Sequence, residues 1–362
     1  MRKALKVVAL LAVVALVAAA CGGGEPTTPG GGGGTAGPAK KVGLVYDIGG
    51  RGDKSFNDAA ARGLDQAKAE FNIEVRELEP SAGGENREEL LRLLAQQGFE
   101  LNIGVGFLFA TSICKAGLAN PNVKFADVDG FIDHTTQGCD GAQDLTESSN
   151  VSSLLFAEEQ GSYLVGAAAA LKSTTGKLGF IGGVEVDLIK KFEAGFAAGA
   201  KKINPSVTID VKYITQPPDF TGFNDPAKGK EIATGMYQGG ADVVYHAAGG
   251  SGSGLFEAAK EHSTTSGSQM WAIGVDSDQY QTAPADQQPY ILTSMLKRVE
   301  VAVYETIKDF VNDQFKGGYR TFDLQADGVG YSTSGGFVDD IASQLEDLKK
   351  QIIDGTITVP TA

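Results

Sequence analysis

Residues 41–64 read KVGLVYDIGGRGDKSFNDAAARGL, and this stretch decides the fold. Val42 to Tyr46 is a short apolar, largely β-branched run of the kind that forms a buried strand. It ends on Asp47 and passes into a turn carrying Gly49, Gly50 and Gly52. Ser55 is the predicted N-cap of the helix that follows, with Asp58 at capping-box spacing. Ala60, Gly63, Leu64, Ala67 and Phe71 give that helix its buried stripe. Strand, glycine turn and helix make the repeating unit of a parallel α/β sheet, whose ligands bind at the carboxyl ends of the strands, where this turn lies. Phe56 falls in the first helical turn. It is either a hydrophobic staple or an aromatic plate in a cleft, with Asn57 and Asp47 beside it as hydrogen-bond partners.

The alternation continues outward. Strand patterns occupy 73–78, 101–105, 123–128, 151–156, 177–181, 207–213, 243–247, 270–275 and 291–296. Helical patterns lie between them, and two more follow at 299–315 and 343–354. The fold class is therefore α/β with mostly parallel sheets. A folded body from 42 to 362 is long for one core and suggests two.

The first 20 residues read as a signal peptide: Arg2, Lys3 and Lys6 are basic, and Val7 to Ala20 is apolar but short for a membrane span. Ala18-Ala-Ala-Cys21 resembles a lipobox, with Ala where Leu is commoner. The expectation is a lipid on Cys21, anchoring the protein at the extracytoplasmic face of the cell membrane. Residues 21–41 are rich in Gly, Pro and Thr, a tether with a reach of about 25 Å. With Cys21 committed to lipid, Cys114 and Cys139 are the remaining cysteines and form one possible disulfide.

The formal charge is −14, and losing Arg2, Lys3 and Lys6 with the leader takes it to −17. Such an acidic chain argues against nucleic acid as a partner, because that binding rests on neutralising phosphates. The phosphate-loop, zincin, C-x-x-C and nucleophile-elbow motifs are all missing, and His134, His246 and His262 share no metal-ligand spacing. No cofactor, metal or catalytic residue is expected. Polar and aromatic residues gather instead at strand ends: Asp47, Phe56 and Asn57, then Gly106 and Phe107, Asp129, Phe223, Gly249 and Gly250, Asp276, and Lys297.

Asp53-Lys54-Ser55-Phe56-Asn57 and the small residues after it resemble the opening signature of the basic membrane protein (BMP) family of bacterial lipoproteins. These are similar to the purine-nucleoside receptor lipoproteins, the substrate-binding components of ABC importers. Phe156-Ala-Glu-Glu-Gln-Gly-Ser-Tyr163, Lys191-Phe-Glu-Ala-Gly-Phe196 and Asp225-Pro-Ala-Lys-Gly-Lys230 match in order, so the likeness spans nearly all of 41–360. Residues 130–150 depart from it by carrying Cys139. The resemblance implies a two-lobed type I periplasmic-binding-protein fold, with lobe one at 42–152 plus 297–318 and lobe two at 153–296 plus 319–362.

It also implies a monomeric, non-enzymatic receptor that captures a purine nucleoside between its lobes and delivers it to an ABC permease. Phe56 and Phe223 (in preference to Phe192 or Phe220) would sandwich the base, with Asp47 close by. Asn57 and Asp129 would address the base edge. Asp276 and Lys297, arriving side by side, would take the ribose hydroxyls, Gly250 would offer a backbone contact, and Gly106 would belong to the same ligand site. The alternative is an envelope receptor for another small polar ligand, such as a sugar or signalling molecule, on the same fold.

Overall fold

Two six-stranded sheets organise the chain. The structure is a computed structural model that describes residues 38–81 and 83–362. The signal peptide, Cys21 and most of the tether lie outside the described residues.

The first sheet contains β1 (Lys40–Val45), β2 (Ile73–Leu78), β3 (Leu101–Val105), β4 (Lys124–Val128) and β5 (Val151–Phe156), in the order β2-β1-β3-β4-β5. The second contains β6 (Lys177–Val184), β7 (Thr208–Thr215), β8 (Val243–Ala247), β9 (Trp271–Asp276) and β10 (Ile291–Lys297), in the order β7-β6-β8-β9-β10. Each is closed at its far edge by a late strand: β11 (Gly318–Phe322) runs parallel to β5, and β12 (Val329–Tyr331) antiparallel to β10. The two sheets thus repeat one topology, with switch points at β1/β3 and β6/β8. A crevice at the strand carboxyl ends is the usual ligand position in such sheets.

Helices α1 (Phe56–Glu70), α2 (Arg87–Gln96), α3 (Ala110–Ala119), α4 (Glu158–Lys172), α5 (Asp187–Ile203), α6 (Pro226–Gln238), α7 (Ser253–Ser266), α8 (Gln279–Thr282), α9 (Val299–Val311) and α10 (Ala342–Ile353) cover the sheets or connect their strands. β3 (LNIGV) and β8 (VVYHA) are buried throughout, which is why they read as apolar runs rather than as alternating patterns. The α4–α5 contact is very close. A Cβ on Gly195 would stand 2.1 Å from the Glu159 carbonyl oxygen, and one on Gly199 only 1.9 Å from that of Tyr163. Glycine at both positions lets the two backbones touch, and a larger residue would force them apart.

The expected lobe boundaries at 152 and 318 fall inside strands. β5 stays in the first sheet to Phe156 and β11 to Phe322, so the chain crosses between sheets after 156, after 297 and after 322. β11 and β12 were not foreseen. They are short edge strands (GYRTF and VGY) with mixed exposure, and they carry little periodic signal. Cys114 on α3 and Cys139 in the loop after β4 are joined by a disulfide with a Cα separation of 6.2 Å. No described helix is long and apolar enough to cross a membrane.

Candidate functional site

A cavity lies where the carboxyl ends of the two sheets face one another, the usual place for a ligand in such sheets. From the first sheet it is walled by Asp47 and Ile48 after β1, Asp53, Phe56 and Asn57 from the glycine turn and α1, Gly106 and Phe107 after β3, and Asp129 after β4. The second sheet contributes Phe192 on α5, Phe223 before α6, Gly249 after β8, Asp276 ending β9 and Lys297 ending β10. Of the eleven strand-end positions singled out in the sequence, Gly250 alone does not line it. Its neighbour Gly249 does, while Gly250 packs near Asn224 and the Phe223 carbonyl.

The glycine turn is organised by Asp53. Its carboxylate accepts from the backbone N–H groups of Ser55, Asn57 and Asp58 (2.9, 2.8 and 3.1 Å). Asp53 thus caps α1, and Ser55 does not: its side chain makes no capping bond. The Ser55 hydroxyl turns to the other lobe and donates to Asp276 Oδ2 at 2.5 Å. Asn57 is also committed locally. Its Oδ1 accepts from the Asp47 N–H (2.9 Å), and its Nδ2 donates to Asp53 Oδ2 (3.2 Å) and the Ile48 carbonyl (3.4 Å). It fixes the turn against β1, and both N–H donors of its amide are engaged there. At the exposed tip of the turn, Arg51 pairs with Glu77 and Asp65.

Asp47 is held by Arg87, whose Nη2 lies 2.6 Å from Oδ1. Burial raises its carboxyl above the usual range, and Arg87 opposes that rise. The other oxygen leans over Gly106, where a Cβ would come within 2.2 Å of it and where φ is +114°. Both facts require glycine there.

Asp129 and Asp276 hold equivalent places in the two sheets, at the carboxyl ends of β4 and β9. Both adopt left-handed backbone, with φ of 72° and 62°, which aspartate tolerates better than most residues. Burial lifts Asp129 to about 6, against the pull of Lys297 and with a further push from Glu158. Burial lifts Asp276 to about 7, opposed by Lys297 and by the Ser55 hydroxyl. Asp129 Oδ1 is buried and has no partner.

Lys297 is 1% exposed. Its Nζ stands 2.6 Å from Asp129 Oδ2 and 3.0 Å from Glu158 Oε1, ringed by Phe56, Phe156 and Phe192 at 5.3, 5.0 and 5.5 Å from their centroids. Burial alone would lower its pKa. The three acids Asp129, Glu158 and Asp276 outweigh burial and raise it. The expected pairing of Lys297 with Asp276 is thus replaced by one with Asp129 and Glu158. Phe192 was the second choice for the facing aromatic, yet it lines the cavity as Phe223 does, whereas Phe220 lies outside and packs on Phe107.

Several hydrogen bonds cross from lobe to lobe. Besides Ser55 to Asp276, the Ser277 hydroxyl donates to the Ser55 carbonyl (2.8 Å), Gln279 Nε2 to the Lys54 carbonyl (3.2 Å) and Arg62 Nη2 to Ser277 Oγ (2.8 Å). These bonds hold the two lobes together beside the cavity. Among the described residues the one approach to a metal-ligand set is the exposed trio Asp133, His134 and Asp144, none of which lines the cavity.

Residues 39–362 match the model of the family described as ABC transporter substrate-binding protein PnrA-like. The chain belongs to that family. It is a substrate-binding component and not an enzyme. It is 36% identical over 331 residues to the CD4+ T-cell-stimulating antigen of Listeria monocytogenes, covering 88% of this chain and 87% of that protein. To the ABC transporter nucleoside-binding protein BmpA of Lactococcus lactis it is 34% identical over 345 residues, covering 90% and 92%. Among solved structures, an ABC transporter solute-binding protein from Aeropyrum pernix superposes with a TM-score of 0.74 at 30% identity, covering 89% of this chain and 94% of that one. A myo-inositol-binding protein from Caulobacter shares the fold at 13% identity (TM-score 0.57).

Proposed function

We propose that the cavity captures a purine nucleoside and that the protein passes it to an ABC permease. The observation that carries this reading is the pairing of aromatic walls with matched carboxylates: Phe56 and Phe223 or Phe192 on the sides, Asp129 and Asp276 from opposite sheets, and Lys297 between them. A flat base fits between rings. The unpartnered Asp129 oxygen suits a ring N–H or amino donor, and Asp276 with Lys297 suits a diol. The relative named as nucleoside-binding supports the same reading. Closure of two lobes around the ligand is a common switching mode. Asn57 is assigned to the turn and not to the base.

A thermal-shift screen with nucleosides, free bases and sugars tests this. Ligand at about 100 times its dissociation constant adds roughly 2.7 kcal/mol. Stabilisation by sugars alone would end the nucleoside reading. Phe56→Ala is expected to weaken purine nucleosides by about 1–3 kcal/mol, roughly 5- to 150-fold, with little change in melting temperature. Should it unfold the protein without specific loss of binding, Phe56 is a staple. Comparing Phe223→Ala with Phe192→Ala identifies the second plate.

Cys21 we assign as the lipid attachment point, leaving the binding body outside the membrane. The sequence before it and a 34%-identical relative from Pyrococcus abyssi named as a lipoprotein support this. Intact mass should show a diacylglyceryl-modified Cys21; a cleaved but unmodified chain would refute it.

A further inference from the structure

One buried carboxylate beside the cavity has no part in the reading above. Glu158 opens α4, where the chain first leaves the first sheet for the second. Its side chain is 1% exposed and does not line the cavity. Its Oε1 lies 3.0 Å from Lys297 Nζ, an ion-pair contact without hydrogen-bond geometry, and its Oε2 accepts from Lys191 Nζ at 3.4 Å. Buried within a collar of three phenyl rings, the Lys297 ammonium needs a counter-charge. Asp129 supplies one from the opposite lobe, through Oδ2. Asp129 Oδ1, however, is buried with no partner, and it belongs to a residue that faces the ligand.

We propose that Glu158 is a positioning residue of the ligand site: it holds the Lys297 ammonium from behind, so that Asp129 gives Lys297 one oxygen and presents the other to the ligand. This rests on the nucleoside reading. Among the described residues, Asp129 and Glu158 are the carboxylates within ion-pair distance of Lys297. Without Glu158 the ammonium would keep Asp129 as its one ion-pair partner among the described residues, with Asp276 acting from further off, and in a water-poor site that attraction is strong. A ligand donor would then compete with an ion pair for the same carboxylate. A plainer role also exists, because a carboxylate in the first turn of a helix is favoured by the helix dipole. The plainer role touches stability only.

The pH dependence separates the two. Asp129 is faced by Lys297 from β10, Glu158 from α4, Lys191 from α5 and Asp276 from β9, with Asp127 on its own strand. Glu158 pushes the Asp129 carboxyl up and Lys297 pulls it down. Removing the Glu158 charge cancels the first influence and strengthens the second, so Asp129 should stay ionised to lower pH.

Calorimetric titration with inosine and guanosine across pH 4.5–8 is the test. It is run in an Asp276→Asn background so that the other acid facing the cavity does not titrate. Adding Glu158→Gln is expected to weaken binding at neutral pH by about tenfold and to move the acid limb down by about one pH unit. Should the Gln variant not fold, Glu158→Asp, which keeps the charge but withdraws it by a methylene, carries the same test with a smaller shift in the same direction. A folded Glu158 variant with unchanged affinity and acid limb overturns the proposal alone. Failure of the wild type to bind any nucleoside overturns this proposal and the functional reading together.

Discussion

Lys297→Met is expected to abolish measurable nucleoside binding and to destabilise the protein by about 3–5 kcal/mol, the usual cost of stranding a buried charge. Methionine fills much of the same volume, so the effect is electrostatic and not a cavity. In the wild type Nζ lies 2.6 Å from Asp129 and 3.0 Å from Glu158. Without it two carboxylates stand close together, both out of water, and at least one must take a proton. The sign of the pH effect follows. A carboxyl whose pKa is raised by folding binds more protons in the native state than in the unfolded chain. Its contribution to stability is therefore lost as pH rises from about 3.9 through the folded value. In the wild type that loss runs up to about 6 for Asp129. In the variant Asp129 loses the pull of Lys297 and rises further, so stability should fall more steeply between pH 5 and 8. Urea unfolding at several pH values measures this directly. A variant as stable as wild type, with the same pH slope, would show that Lys297 is not the counter-charge for this pair.

Much of the architecture was legible because it is local. Val42 to Tyr46, the glycine turn and the helix from Phe56 follow from adjacent residue types, and a parallel sheet places the ends of such strands along one edge. That edge gathers Asp47, Gly106, Asp129, Asp276 and Lys297 from distant stretches of chain. What could not be read was set by topology. No sequence repeat betrays that Asp129 and Asp276 are counterparts, each in left-handed backbone at the end of the corresponding strand. Ser55 has the sequence context of an N-cap, yet Asp53 takes the backbone donors and the Ser55 hydroxyl meets Asp276 across the cleft, a partner 221 positions away. Glu158 reads as an ordinary acid in a first helical turn. Only the crossing of the chain between sheets puts it behind Lys297. The edge strands β11 and β12 owe their structure to the strands they join, more than to their own residues.

Asp276 should govern the choice among sugars, and its effect should depend on pH. The residue ends a buried strand, so its backbone is fixed at the mouth of the cavity. Ser55 Oγ donates to Oδ2 at 2.5 Å, which orients the carboxylate only while the lobes are closed. A carboxylate keeps further lone pairs after one such bond, and hydrogen bonds from ligand hydroxyls to a charged acceptor are worth about 1.5–3 kcal/mol each. A ligand without those hydroxyls would leave a buried acceptor unpaired, and that penalty is the source of selectivity in such sites. Wild type should therefore prefer ribonucleosides to their 2′,3′-dideoxy counterparts by at least about tenfold, and Asp276→Ala should erase most of that preference. Burial holds Asp276 at about 7 in the unliganded protein, whereas hydroxyl donors favour its ionised form. Binding then releases a proton, so affinity for ribonucleosides should climb as pH rises towards 7 and level off above it. Dideoxynucleosides and the Asp276→Asn variant should each lose Asp276's share of this dependence and keep only the step of Asp129. Calorimetry of inosine and dideoxyinosine at pH 5.5 and 8 decides the matter. An unchanged ribose preference in a folded Asp276→Ala variant would return the residue to the purely structural job of meeting Ser55.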